Sequence, residues 1–158
     1  MHTPSAISVK CTKPTSNLGL LPTYDDEAQV LCVGDPLAPT DWPFGIDVNG
    51  LLICDCDYEK RLVNFDLLIS RKLWKHGPIE PPTLNTPLQG LIITENALHL
   101  KSFHLPLSVL FDQTNMVLKI TIGEKLQPKR LIRLSTRLFA SLGPQSELLE
   151  FLVLLHKC

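Results

Sequence analysis

The sequence predicts an α+β protein: an antiparallel β-sheet of about five strands, packed by two C-terminal helices, after a disordered N-terminal arm. Three observations lead to this fold class. Apolar and polar residues alternate in the middle of the chain, helical spacing begins only at residue 129, and proline, serine and threonine are frequent before residue 44. Strands followed by helices are typical of α+β folds. The 158 residues suit one core with an appendage.

Residues 1–43 are predicted to form a flexible, mostly disordered arm. They contain six of the thirteen prolines and show no sustained periodicity. A single globular α+β domain is then predicted over residues 44–158. Residues 1–57 carry a net charge of −6 and residues 58–158 a net charge of +5. This split suits binding of an anionic surface through one end, and it also fits head-to-tail contact between copies.

The strands are predicted from alternation. Residues 60–70 alternate strictly, with Val63, Phe65 and Leu67 on one face, which is typical of a half-buried strand. Residues 77–87 hold four prolines and are predicted to be a loop, because proline cannot donate to a sheet ladder. No repeat with a period of 20–50 residues is visible. The remaining predicted strands are 48–56, which forms a hairpin with 60–70, then 88–94, 97–103 and 115–122.

The two helices are predicted over residues 129–142 and 145–156. Gly143-Pro144 separates them, and this pair is typical of a helix end followed by a helix start. The second segment is apolar over most of a helical circumference, which favours an internal core helix. A self-association surface is the alternative for this segment.

A basic segment is the first candidate site. It comprises Lys125, Lys129, Arg130, Arg133 and Arg137, with no acidic residue among them. On a helix its three arginines would lie within about 60° of one another. An anionic membrane surface contributes about 1 kcal/mol per nearby basic residue. We therefore predict contact with an anionic membrane surface, with a solvated outer helix face as the alternative. Nucleic acid is expected only indirectly, because the segment lacks aromatic residues for base stacking.

The second candidate site is Leu21, Pro22, Thr23 and Tyr24, followed by three acidic residues. A proline two residues before a tyrosine in a flexible segment is the pattern that WW domains bind. The peptide adopts polyproline II, and aromatic grooves take the two rings.

The cysteine spacing and the short motifs of the sequence indicate neither a metal site nor an enzyme. Cys54 and Cys56 are the only close pair, and no second cluster exists to complete a zinc site. Both are predicted to be small buried groups on one strand face, with Asp55 and Asp57 on the other face. No glycine-rich phosphate loop, nucleophile elbow or paired metal motif is present. We expect no catalytic residue, no metal and no cofactor.

Short motifs in the first half of the chain resemble those of animal rhabdovirus matrix proteins, especially those of vesiculoviruses. They are LGLLPTYDDE at 18–27, FGID at 44–47, YEK at 58–60 and PPTLN at 81–85. They occur in the same order as in that family. The family also has a lysine-rich extreme N-terminus, where this sequence has only Lys10 and Lys13. The resemblance therefore implies membrane or nucleocapsid contact by the basic segment.

The resemblance implies a viral matrix protein that is not an enzyme. Such a protein self-associates into homo-oligomers, links the viral nucleocapsid to the inner membrane leaflet, and drives assembly and budding. The resemblance implies that the arm recruits a host WW-domain ubiquitin ligase. It implies location in the virion, the host cytoplasm and the inner face of the plasma membrane. The alternative is a cellular non-enzymatic adaptor with a WW-binding arm and a β-rich protein-interaction domain.

Overall fold

The computed structural model describes residues 6–14, 19–35, 42–95, 101–123, 127–128 and 130–155. These residues form fourteen strands and one 3₁₀ turn at Arg71–Leu73. The strands are β1 (Val9–Thr12), β2 (Leu21–Asp25), β3 (Val30–Gly34), β4 (Phe44–Val48), β5 (Leu52–Cys56), β6 (Leu62–Leu67), β7 (Lys75–His76), β8 (Gly90–Ile93), β9 (Lys101–Phe103), β10 (Leu107–Asp112), β11 (Val117–Ile122), β12 (Arg130–Ser135), β13 (Leu138–Leu142) and β14 (Leu148–Leu154).

Two larger sheets share one strand order. The first runs β2-β3-β6-β5-β4-β9 and the second β10-β11-β14-β13-β12 with β7 beside β10. Counted along the chain, the five antiparallel strands of each sheet follow the order first, second, fifth, fourth, third. The added strands β9 and β7 pair in parallel with β4 and β10. A third, two-stranded sheet pairs β1 with β8.

The shared order reflects an internal duplication, because fine details recur as well. The hairpins β5–β6 and β13–β14 each have a register shift just before their turn, at Asp55/Cys56 and at Ser141/Leu142. Equivalent turn residues have positive φ. They are Gln29 and Met116 in the hairpins β2–β3 and β10–β11, and Lys60 and Ser146 in the hairpins β5–β6 and β13–β14. We call β1–β6 the first repeat and β8–β14 the second repeat. The repeat is longer than the 20–50 residues typical of solenoids.

The repeats exchange their first strands. Val9 of β1 donates its N–H to the carbonyl of Ser146, and Ile93 of β8 donates to the carbonyl of Lys60. Val9 and Ile93 themselves pair across the β1–β8 ladder. β1 and β8 thus each bind a turn of the other repeat. Two repeats related by an approximate two-fold axis have this relationship.

The predicted α+β class is wrong: residues 130–155 form β12, β13 and β14, and neither C-terminal helix exists. Gly143-Pro144 lies in the tight turn between β13 and β14. The misleading pattern has a physical cause, since β14 is buried on both faces. Phe151 and Val153 pack in the main core between the sheets, while Leu152 and Leu154 pack in a second cluster with Ile79. Burial on both sides removes the polar positions that reveal a strand period.

The proline-rich loop explains the second cluster. Ile79 lies in the loop predicted for residues 77–87 and packs beside Phe139, Leu152 and Leu154. The loop therefore covers the outer face of β13 and β14. On the equivalent face of the first sheet, Asp55 and Asp66 are partly exposed. One outer face is apolar and covered, and the other is acidic.

The earlier segments give mixed outcomes. The hairpin of β5 and β6 and the strands β8 and β11 agree with the alternation-based predictions. β9 covers only 101–103 of the strand predicted over 97–103, and 97–100 lie outside the described residues. The strand predicted over 48–56 is interrupted by a turn at 49–51, between β4 and β5. Residues 1–43 differ from the expected disordered arm, because β1, β2 and β3 lie within them. No helix among the described residues is long and apolar enough to span a membrane.

Candidate functional site

The equivalent hairpins β2–β3 and β10–β11 meet at one corner of the fold, where a tryptophan lies between them. Tyr24 and Phe111 occupy the same position in the two repeats. The Trp74 ring contacts both edge-on, with ring centroids 5.9 Å from Tyr24 and 5.7 Å from Phe111. Its indole N–H donates to the carbonyl of Ile69 at 3.1 Å. Trp74 is therefore fixed in orientation while its ring joins the two hairpins.

An open cleft of about 410 Å³ lies at this corner, and we call it the corner cleft. Its walls combine the three aromatic rings with His76, whose ring centroid lies 5.7 Å from that of Phe111. Clefts with aromatic walls and a few polar groups are typical of binding sites. Further residues at its border are Pro22, Thr23, Leu31, Arg71, Gln113 and Met116.

Polar contacts anchor one wall of the corner cleft. The Tyr24 hydroxyl accepts the backbone N–H of Arg71 at 3.1 Å and lies 3.3 Å from Gln29 Oε1. The Arg71 guanidinium lies 4.8 Å from the Tyr24 ring centroid and pairs with Asp26 at 2.7 Å. These contacts hold the segment before β7 against the first hairpin, so the cleft is largely pre-formed.

The WW-type motif lies in this site, in a different conformation from the expected one. Leu21, Pro22, Thr23 and Tyr24 form most of β2 and pair with β3. Pro22 fits there because β2 ends its sheet among the described residues, and proline is tolerated in edge strands. The WW-ligand function stays a prediction. It now requires β2 to leave the sheet and Tyr24 to leave Trp74.

The basic segment is not a helical face. Lys125 and Lys129 lie outside the described residues, and Arg130 and Arg133 lie on β12. The Arg133 guanidinium donates to the carbonyls of Leu84, Ser135 and Thr136, and it lies 5.3 Å from the Phe139 ring centroid.

The other two arginines also contact the fold. Arg137 Nε donates to the carbonyl of Leu154 at 2.8 Å, and Arg130 donates to Gln89 Oε1 at 3.2 Å. Arg133 and Arg137 thus bind backbone carbonyls of this chain. Contact with an anionic membrane or nucleocapsid stays a prediction, without the helical geometry from which it was argued.

The cysteine prediction for β5 is confirmed. Cys54 and Cys56 are 0% and 1% exposed, on the same face as Leu52, whereas Asp55 is on the other face and partly exposed. Burial raises the pKa of the Cys56 thiol to about 12 and that of Cys54 well above its ordinary value. Among the described residues, no group of three or more His, Cys, Asp or Glu side chains is placed to hold a metal ion.

No protein-family model matches this chain, and no curated protein sequence matches it either. The resemblance to rhabdovirus matrix proteins, and the oligomer, location and budding role that it implies, therefore stay predictions.

Trp74, His76 and Phe111 were missed as site residues by the sequence analysis. A signal for Phe111 exists: Tyr24-Asp25 and Phe111-Asp112 each precede a turn of the same length that ends at a positive-φ residue. This aromatic–aspartate pair marks the equivalent hairpins. The position of Trp74 between them depends on the tertiary structure alone.

Proposed function

We propose that this chain is a non-enzymatic protein-interaction module that binds an extended peptide at the corner cleft. One observation carries the proposal: Tyr24, Trp74 and Phe111 converge on an open cleft at the meeting point of two duplicated hairpins. Aromatic side chains provide large contact areas at low entropic cost and are enriched in protein interfaces. This function belongs to the β-rich interaction class that the sequence left as the alternative.

Two further features support peptide binding. The cleft lies beside β2, which is the last strand of its sheet among the described residues, and an extended peptide can contact both a sheet edge and a neighbouring pocket. The exposed Arg71 and His76 border the cleft and offer hydrogen-bond donors to a peptide backbone. The volume of about 410 Å³ accommodates one or two side chains rather than a folded domain.

The test is selection of a random-peptide display library on the immobilised full-length chain. We expect enrichment of peptides with a common motif that contains an apolar or aromatic residue. Soluble forms of these peptides should bind at least about tenfold more weakly to His76→Ala, since that variant removes one wall of the cleft.

Lys72→Ala provides the matched control, because Lys72 is exposed in the same segment and does not border the cleft. Affinity for this variant should be unchanged. Failure to enrich any common motif, or equal binding to both variants, would contradict the proposed function.

A further inference from the structure

The two repeats differ at one sheet edge. In the second repeat, β7 adds to β10 as a short parallel strand, with Lys75 opposite Leu110 and His76 opposite Phe111. In the first repeat, the equivalent strand β2 is the last strand of its sheet among the described residues. The duplication therefore shows, within one molecule, what this type of edge binds.

Three contacts attach the segment of β7 to the hairpin β10–β11 of the second repeat. Gly77 donates its N–H to the carbonyl of Phe111 at 3.1 Å. The His76 ring lies against the Phe111 ring. Two residues beyond Gly77, Ile79 donates its N–H to Asp112 Oδ2 at 2.9 Å.

Each of these anchors has an equivalent on the hairpin β2–β3 of the first repeat. Tyr24 corresponds to Phe111, so the backbone N–H and carbonyl of Tyr24 face the open edge. Asp25 corresponds to Asp112, and its Oδ1 accepts the N–H groups of Glu27 and Ala28. Asp25 Oδ2 forms no hydrogen bond with the described residues, whereas Asp112 Oδ2 accepts from Ile79.

The charge of the first hairpin determines the chemistry of the partner. Three exposed acidic residues lie at the end of β2 and in the turn after it, Asp25, Asp26 and Glu27. Asp26 pairs with Arg71, which leaves Asp25 and Glu27 without an ion pair among the described residues. The equivalent positions in the second repeat are Asp112, Gln113 and Thr114, and their strand Lys75–His76 is already basic. A strand that adds to β2 should therefore be at least as basic. The same segment of a second copy is already paired with its own β10, so a different chain supplies it.

We propose that the β2 edge binds an extended, basic segment of a partner protein as a parallel strand, in the way that β10 binds residues 75–79. The residue opposite Tyr24 is aromatic or imidazole and enters the corner cleft. The next N–H donates to the Tyr24 carbonyl, and a third N–H, further along, donates to Asp25 Oδ2. This inference rests on the proposed function and specifies its partner.

The probe is a fluorescein-labelled peptide with the sequence of residues 72–79, titrated against the full-length chain by fluorescence polarisation. Weak binding is expected, on the order of 10–100 μM, because a short peptide loses conformational entropy. Replacing its glycine by sarcosine removes the N–H for the Tyr24 carbonyl and should weaken binding at least about tenfold. Hydrogen exchange of the Tyr24 amide should slow when the peptide saturates the chain.

Chain variants test the carboxylate anchor. Asp25→Asn replaces an acceptor by an N–H₂ donor beside the incoming N–H, and should weaken binding about tenfold. Glu27→Gln removes the same charge in the same turn and should weaken it by less than about threefold, because surface charges interact weakly.

Several outcomes would overturn strand addition. They are no binding at millimolar peptide, equal binding of the sarcosine peptide, and a Tyr24 amide that is already protected without peptide. If the sarcosine peptide binds as tightly as the glycine peptide and both bind more weakly to His76→Ala, strand addition is overturned and the corner-cleft function stands. A peptide that responds to sarcosine and ignores His76→Ala would support the edge and contradict the cleft.

Discussion

Phe65 and Phe151 occupy the same position in the two repeats, and their rings stack with centroids 4.6 Å apart and planes 20° apart. Phe65 is paired with Val33 and Cys54, and Phe151 with Ile120 and Ala140. Both are fully buried. The stacked pair therefore marks the centre of the interface between the duplicated sheets, and the stability of the whole fold should depend on it.

The first prediction concerns this pair. Phe65→Ala and Phe151→Ala should each lower the free energy of unfolding by about 3–5 kcal/mol, because each leaves a cavity in the core. Their double-mutant cycle, measured by urea unfolding, should give a coupling energy of about 0.5–1.5 kcal/mol from the ring contact. Phe103→Ala is the control, since Phe103 is equally buried on another strand. Its cycle with Phe65→Ala should be additive within about 0.5 kcal/mol.

The second prediction separates structural arginines from a binding surface. Arg137→Gln should lower the free energy of unfolding by about 1–2 kcal/mol, because it removes a charge-assisted hydrogen bond to the Leu154 carbonyl. Arg130→Gln should change it by less than about 0.5 kcal/mol, since Arg130 is exposed. Both variants lose one positive charge. Equal losses of stability in thermal unfolding would refute the structural role of Arg137.

A third prediction follows from Asp112. Its carboxylate accepts hydrogen bonds from the backbone N–H of Ile79 and from the backbone N–H and side-chain amide of Asn115, and these hydrogen bonds hold its pKa below the ordinary value of 3.8. A lowered pKa in the folded state adds stability above the unfolded pKa, and that stability is lost as the pH falls through the folded pKa. The free energy of unfolding should therefore fall more steeply with decreasing pH below about pH 3.8.

Asp112→Asn supplies the comparison, because its side chain does not titrate. The free energy of unfolding of this variant should vary less between pH 4 and pH 2 than that of the unaltered chain. Asn115→Ala, which removes one of the hydrogen bonds, should have an intermediate slope. Parallel curves for all three proteins would show that Asp112 is not the titrating group.

The cysteines provide a fourth prediction. At pH 8 the native chain should alkylate at Cys54 and Cys56 far more slowly than the unfolded chain. Burial raises the pKa of both thiols, and the thiolate is the reactive form. Cys32 should also react slowly, because burial and Asp66 raise its pKa to about 12. Mass spectrometry after timed alkylation, with and without urea, measures these rates. Fast labelling of Cys54 in the native chain would place β5 outside the core.

The fifth prediction applies to the WW-type motif. A free peptide of residues 16–30 should bind a suitable WW domain at least about tenfold more tightly than the full-length chain does. In the chain, Leu21–Asp25 is paired with β3 and Tyr24 contacts Trp74, so local opening must precede binding. Tyr24→Ala in the peptide should nearly abolish binding. Equal affinity of peptide and chain would show that β2 opens freely.

The sequence by itself determined the strands whose two faces differ in polarity. In β5, buried positions alternate with half-buried ones, and the period of two is visible along the chain. β6 is less regular, because Leu62–Phe65 are all buried and Leu62, rather than Val63, joins Phe65 and Leu67 in the main core. The buried cysteines of β5 followed from the same alternation, and the proline-rich loop followed from proline's missing N–H. These are local properties, so they can be recognised without knowing the partner strands.

Only the tertiary structure decided the rest. β14 packs apolar residues on both faces, because the proline-rich loop covers Leu152 and Leu154 on its outer side, and the resulting pattern along the chain resembles that of a buried helix. Tyr24 belongs to a strand because β3 pairs with β2 and Trp74 packs on its ring, although its own neighbours in sequence favour an extended arm. The corner cleft requires both repeats at once. Pairing between distant strands sets each of these features, and a pattern along one segment does not contain it.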